Sequence, residues 1–155
     1  MENVTIRPAR PTDIPDVRQM LEEYVRWIGL DLAFQEIEEE LAGLPGEYAP
    51  PRGTLFVAED NGRLIGMIGV RSFEGAICEM KRLYVRPEAR GRGLAKQLIA
   101  AALDEARRLR YSEIRLDTLP MMGDAQSLYV ALGFADIPPY YDTPIAGTRF
   151  MSKRL

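Results

Sequence analysis

A glycine turn set between a strand and a helix constrains this chain more than any other feature. Tyr84-Val85-Arg86-Pro87 closes a β-rich run, and Arg90-Gly91-Arg92-Gly93 follows it. Leu94, Leu98, Ile99, Ala102, Leu103, Ala106 and Leu109 then recur at helical spacing. The first N–H groups of such a helix lack internal partners, and its dipole favours an anion there. Glycine brings no Cβ to hold a bulky anion away, while Arg90 and Arg92 add positive charge. A phosphate or diphosphate suits that nest. A P-loop would need Gly-Lys-Ser/Thr at its end, which is absent. A dinucleotide fingerprint starting at Gly91 meets Lys96 where its third glycine belongs, and several antiparallel-looking strands precede it. The plain structural alternative is a strand-to-helix turn carrying two solvated arginines.

The flanking pattern predicts a mixed α/β sheet. Residues 3–9 alternate apolar and polar as an edge strand that Pro8 helps to end. Thr12 or Asp13 caps a helix presenting Ile14, Val17, Leu21, Tyr24 and Ile28 to a core. A second helical stretch carries Phe34, Ile37, Leu41 and Leu44 and stops at Pro45-Gly46. Strands over 54–59 and 63–71 flank Asp60-Asn61-Gly62, whose Asn-Gly pair supplies the positive φ angles of a tight hairpin. A strand over 76–86 leads into the glycine turn and the long helix. A strand over 114–119, a helix over 125–132 and strands over 134–137 and 149–153 complete the order β-α-α-β-β-β-α-β-α-β-β. No repeat or low-complexity tract interrupts it, so residues 1–155 read as one domain.

Composition removes several function classes. Twenty Lys and Arg against 23 Asp and Glu leave a net charge of −3, not the positive surface that nucleic-acid binding needs. The absence of histidine excludes a Ser-His-Asp triad, a Cys-His dyad and imidazole metal sites, so no metal is expected. A lone cysteine, Cys78, makes no internal disulfide and points to a reducing, cytoplasmic compartment. The opening residues lack a signal-peptide pattern. No apolar run approaches the about 18 residues of a membrane span, so no membrane partner is expected.

Two separated motifs carry a resemblance. Arg90-x-x-Gly93-x-Ala95 follows Leu83-Tyr84-Val85, and Ala125-Gln126-Ser127-Leu128-Tyr129 precedes Leu132-Gly133-Phe134. The pair, in this order, resembles the motifs of the GNAT superfamily of N-acetyltransferases, and the element order resembles that fold along nearly the whole chain. The resemblance implies an acetyl-CoA donor and a splayed central sheet. It assigns the CoA diphosphate to the backbone N–H groups of Gly91, Arg92, Gly93, Leu94, Ala95 and Lys96, with Arg90 shaping the loop. It places the pantetheine arm along the backbone of Leu83, Tyr84 and Val85, where two amides can pair with an open strand edge. The Leu83 N–H then serves as an oxyanion donor. Ser127 stands near the cofactor where asparagine is commoner in the family.

The resemblance also implies the reacting groups. Glu79, four residues before Leu83, is the general base, acting directly or through water. Its structural alternative is a strand glutamate paired with Lys81, Arg82 or another cation. Tyr129 is the general acid, since a phenol protonated at neutral pH can reprotonate a leaving thiolate. Its alternative is a core tyrosine beneath Gly133-Phe134. Cys78 adjoins Glu79 but has no histidine to activate it and reads as a buried small hydrophobe. Direct transfer in a ternary complex is therefore the expected route.

The acceptor site falls to the first two helices and the last strands. Tyr24, Trp27, Tyr140 and Tyr141 are its candidate aromatic contacts, able to pack an apolar group or hold a cation. Glu38, Glu39 and Glu40 read as a solvated helix face. Arg71 and Arg82 leave open an acceptor bearing a carboxylate. The expected acceptor is a small-molecule amine. A protein or peptide amine and a non-catalytic acyl-CoA-binding module are the competing functions, and relatives that dimerise leave a homodimer open.

Overall fold

The computed structural model describes residues 3–31 and 36–155. Strand β1 (Val4–Pro8) leads to helix α1 (Ile14–Ile28), helix α2 (Ile37–Gly43) and a short turn of 3₁₀ helix (Gly46–Tyr48). Strands β2 (Thr54–Asp60), β3 (Arg63–Glu74) and β4 (Ile77–Val85) precede helix α3 (Leu94–Arg108). The remainder is β5 (Glu113–Thr118), α4 (Gly123–Ala131), β6 (Ala135–Asp136) and β7 (Arg149–Arg154). Phe34, expected in the second helix, lies outside the described residues.

Among the described residues the strands form one sheet in the order β1-β2-β3-β4-β5-β7-β6, with β1 at an edge as its composition suggests. Every pairing is antiparallel except β4 with β5. Asn61 and Gly62 take φ of 50° and 82° at the β2–β3 hairpin, the geometry an Asn-Gly turn favours. Side chains alternate across the sheet. Leu55 and Val57 of β2 join Val17, Met20, Leu21 and Tyr24 of α1 in one core. Phe56 and Ala58 join Leu94, Leu98, Ile99 and Ala102 of α3 in the other. Asp13 stands at the start of α1, but its carboxylate accepts from Arg7 and the Arg10 N–H rather than from the helix's own N–H groups. A charge-assisted bond to a guanidinium outcompetes a neutral amide.

Two irregularities of β4 create the site. Gly69 pairs with Lys81 and Met67 with Tyr84, so Arg82 and Leu83 together oppose the single residue Ile68. This is a β-bulge, and Arg82 carries its strain at φ 63°. Next, β4 pairs with β5 only at Ile77, Cys78 and Glu79, after which the two strands separate. The sheet is splayed there, as the family resemblance implies.

Candidate active site

Three adjoining cavities follow β4 from one end to the other. The first is a groove of about 500 Å³ lined by Leu83, Tyr84, Val85, Arg90, Gly91, Gly93, Leu94, Ala95 and Lys96, with Ala125 and Leu128 of α4 opposite. The second, the smallest and least open of the three at about 30 Å³, is lined by Tyr129, Tyr24, Leu83, Lys81 and Asp117. The third, of about 390 Å³, opens between Glu79, Arg71, Phe73, Tyr140 and Tyr141. Leu83 borders the first and second, and Lys81 the second and third.

The groove has the shape a diphosphate-bearing ligand needs. Gly91 and Gly93 take φ of 80° and 75°, which most residues adopt only at a cost. No atom lies within 4 Å of where a Cβ would stand at either position. Arg90 donates from Nε to the Val85 carbonyl at 2.9 Å and so ties the turn back onto β4. Its guanidinium lies over the Trp27 and Tyr84 rings, 4.9 and 5.8 Å from their centroids. Arg86 and Tyr84 both reach Glu23, at 3.3 and 3.2 Å, and pin α1 to the end of β4.

The structure places four of the expected site residues at particular positions. The Arg92 guanidinium turns to Asp60 at 3.3 Å, which leaves its backbone N–H as the group expected at the turn. Ser127 is exposed and also outside the lining, since α4 turns Asp124, Ala125 and Leu128 inward instead. Trp27 borders the first groove rather than the third cavity, and Tyr24 borders the second, because α1 packs over the bulged end of β4. Tyr140 and Tyr141 do face the third cavity.

Glu79 is only 3% exposed, and both its oxygens are engaged. Oε1 accepts from Arg71 Nε at 3.0 Å, and Oε2 accepts from the Tyr140 hydroxyl at 2.7 Å. Lys81 Nζ stands 3.9 Å from Oε2 and 3.2 Å from Asp117 Oδ1. The Tyr141 hydroxyl donates to Asp117 Oδ2. Arg71 also reaches Glu47 at 3.1 Å, and Arg82 forms a two-point pair with Glu40 at 2.9 Å. Both arginines that left open a carboxylate-bearing acceptor thus already face internal carboxylates.

Burial governs the tyrosines. Desolvation, with the nearby charge of Asp117, pushes the Tyr129 phenol well above its ordinary value. Desolvation likewise raises Tyr140 and Tyr141, which also face Glu79 and Asp117. Burial alone would raise Asp117, but the Lys81 charge and the Tyr141 hydrogen bond outweigh it and hold the carboxyl below the ordinary range. The buried Cys78 thiol is pushed up to about 12 by desolvation, so it behaves as a small hydrophobe. Among the described residues no group of three His, Cys, Asp or Glu side chains could hold a metal ion. Among them too, no helix is long and apolar enough to cross a membrane.

A strand that feeds a glycine turn, a splayed neighbour and a buried tyrosine at the split describe an acyl-transfer fold, and the Acetyltransferase (GNAT) family matches residues 14–134. The chain belongs to that family. It is an acyltransferase enzyme. This GNAT protein is 40% identical over 152 residues to an uncharacterized N-acetyltransferase of Schizosaccharomyces pombe, covering 96% of this chain and 93% of that one. It is 35% identical over 160 residues to an IAA acetyltransferase of Azospirillum brasilense, covering all of both chains. The solved PaiA N-acetyltransferase of Thermoplasma acidophilum, in complex with coenzyme A, has the same fold, with a TM-score of 0.75 at 21% identity over 98% of this chain and 99% of that one.

Asp117 escapes the sequence reading of this GNAT chain. Glu113, Arg115 and Asp117 alternate with Ile114 and Leu116, which reads as the wet face of a half-buried strand. Beyond Arg115, where β4 pairing ends, Asp117 lines the inner cavity instead.

Proposed function

We propose that this chain moves an acetyl group from acetyl-CoA to a primary amine of a small molecule, by direct attack while both are bound. The observation that carries this reading is the passage of β4 along all three cavities, with Tyr129 in the middle one. The groove over Gly91 and Gly93 holds the CoA diphosphate on the N–H groups at the start of α3. The PaiA relative bound to coenzyme A supports that donor. Pantetheine lies along Leu83, Tyr84 and Val85, and the Leu83 N–H, set in the bulge, faces the thioester oxygen. Trp27 and Arg90 cover the same groove.

The amine enters through the third cavity, whose size suits a small molecule better than an extended peptide. Tyr140 and Tyr141 form part of its wall. Tyr129 is the acid that protonates the departing thiolate. Glu79 acts at the acceptor mouth, since it borders the third cavity and not the one that holds Tyr129. One GNAT domain spans residues 1–155, and the buried Cys78 suits a cytoplasmic setting.

The deciding experiment measures free thiol released from acetyl-CoA over a panel of amines, amino acids, aminoglycosides and peptides. Turnover confined to small amines is expected. Turnover confined to peptides overturns the acceptor class, and release with none of them overturns the transferase reading.

A further inference from the structure

We propose that Asp117 is the carboxylate that takes the proton from the attacking amine. The inference rests on the acetyltransferase reading above and adds a catalytic residue to it. Among the described residues, Asp117 is the one carboxylate lining the inner cavity with Tyr129 and Leu83. The acyl carbon must sit between the thiolate's acid and the oxyanion donor, so the amine nitrogen has to arrive in that same space. The cavity measures about 30 Å³. Asp117 is part of the wall of that cavity, so it can take the proton directly, with no relay needed.

Asp117 is built for this. Its side chain is 7% exposed, with Oδ1 3.2 Å from Lys81 and Oδ2 accepting from Tyr141. Each carboxylate oxygen has a second lone pair to offer an N–H group. Lys81 and Tyr141 fix the plane of the carboxylate, as orienting partners must. The charge of Asp117 also bears on both Tyr24 and Tyr129, which line the same cavity. Glu79 borders only the outer cavity, beyond Lys81.

The step balances. The neutral amine's lone pair forms a C–N bond to the acetyl carbon, and the C–S electron pair leaves with sulfur. The extra proton on nitrogen passes to Asp117, and the Tyr129 hydroxyl gives its proton to sulfur. The Asp117 proton then returns to the Tyr129 oxygen, leaving amide, thiol and the starting enzyme. An ammonium beside an oxyanion-bearing carbon is far more acidic than a free one, so a carboxylate suffices to accept its proton.

The test compares Asp117→Asn, Asp117→Ala and Glu79→Gln, using acetyl-CoA and the fastest amine of the thiol-release panel. Asp117→Asn is expected to lower kcat by about 100-fold or more, the usual size of a general-base contribution, while acetyl-CoA affinity stays within about twofold. Glu79→Gln is expected to lose less. Added formate should restore part of the Asp117→Ala rate and leave Asp117→Asn unchanged. The proposal is overturned if Asp117→Asn binds acetyl-CoA and keeps kcat within about threefold of wild type, or if Glu79→Gln loses more. If Asp117→Asn fails to bind acetyl-CoA, the formate experiment decides, and no restoration overturns it. A wild-type enzyme that acetylates no amine instead refutes the underlying transferase reading.

Discussion

The Arg90 guanidinium lies 4.9 Å from the centre of the Trp27 ring, at the mouth of the groove assigned to CoA. Trp27 is the sole tryptophan of the sequence and remains 46% exposed. Acetyl-CoA binding should therefore produce a saturable change in tryptophan emission, absent in Trp27→Phe. A titration with no change would place the ligand elsewhere.

Tyr129→Phe should lower kcat by about 100-fold with acetyl-CoA affinity preserved, since only the hydroxyl is lost. Burial keeps that phenol protonated throughout the working pH range. Steady-state kinetics beside the Trp27 titration separate the two effects, and an unchanged kcat removes Tyr129 as the acid.

Gly93 takes φ 75° with open space where a Cβ would stand. Gly93→Ala should cost about 1–2 kcal/mol of stability from left-handed backbone alone. Gly93 lines the groove proposed for the diphosphate, so affinity for acetyl-CoA should fall about tenfold, or about 1.4 kcal/mol. Denaturant unfolding and calorimetry read the two losses separately, and stability loss without affinity loss would move the diphosphate off this turn.

Glu40 binds the buried Arg82 through both oxygens and also accepts from Tyr48 at 3.1 Å. Desolvation opposes its charge, but Arg82 wins and holds the carboxyl below its ordinary value. Glu40→Gln leaves a buried guanidinium facing an amide, and stability should drop by about 3–5 kcal/mol in urea unfolding. A loss under about 1 kcal/mol would mean that solvent reaches Arg82 more readily than its burial indicates.

Desolvation lifts the phenols of Tyr24, Tyr48, Tyr129, Tyr140 and Tyr141 above the ordinary 10.0. Each is neutral when folded and ionises sooner when unfolded. Their stabilisation is intact below the unfolded value and is lost as pH rises toward the folded one. The thermal midpoint should hold to about pH 9 and fall steeply beyond about pH 10, with phenolate absorbance rising at the unfolding transition. A midpoint flat to about pH 11 would contradict this burial.

The sequence made the scaffold readable wherever local chemistry decides the outcome. The α1 stripe of Val17, Leu21, Tyr24 and Ile28 and the Asn61-Gly62 hairpin need no distant partner to be recognised, and both stand as expected. The nest at Gly91 and Gly93 is legible for the same reason. What stayed hidden depends on which face meets which cavity. Tyr24 and Trp27 are aromatic and near the site, but only the packing of α1 over β4 assigns them to the inner cavity and the donor groove. Motif spacing puts Ser127 on a helix without saying that the helix turns it outward. Arg71 and Arg82 announce positive charge, while their partners Glu79 and Glu40 are found only by folding.

The parting of β4 from β5 beyond Glu79 and Arg115 gives each reactant its own doorway to the same strand. Under the function proposed above, neither must depart before the other arrives, so spent CoA can be exchanged while an amine waits. A reagent tethering the two would have to thread the seam itself.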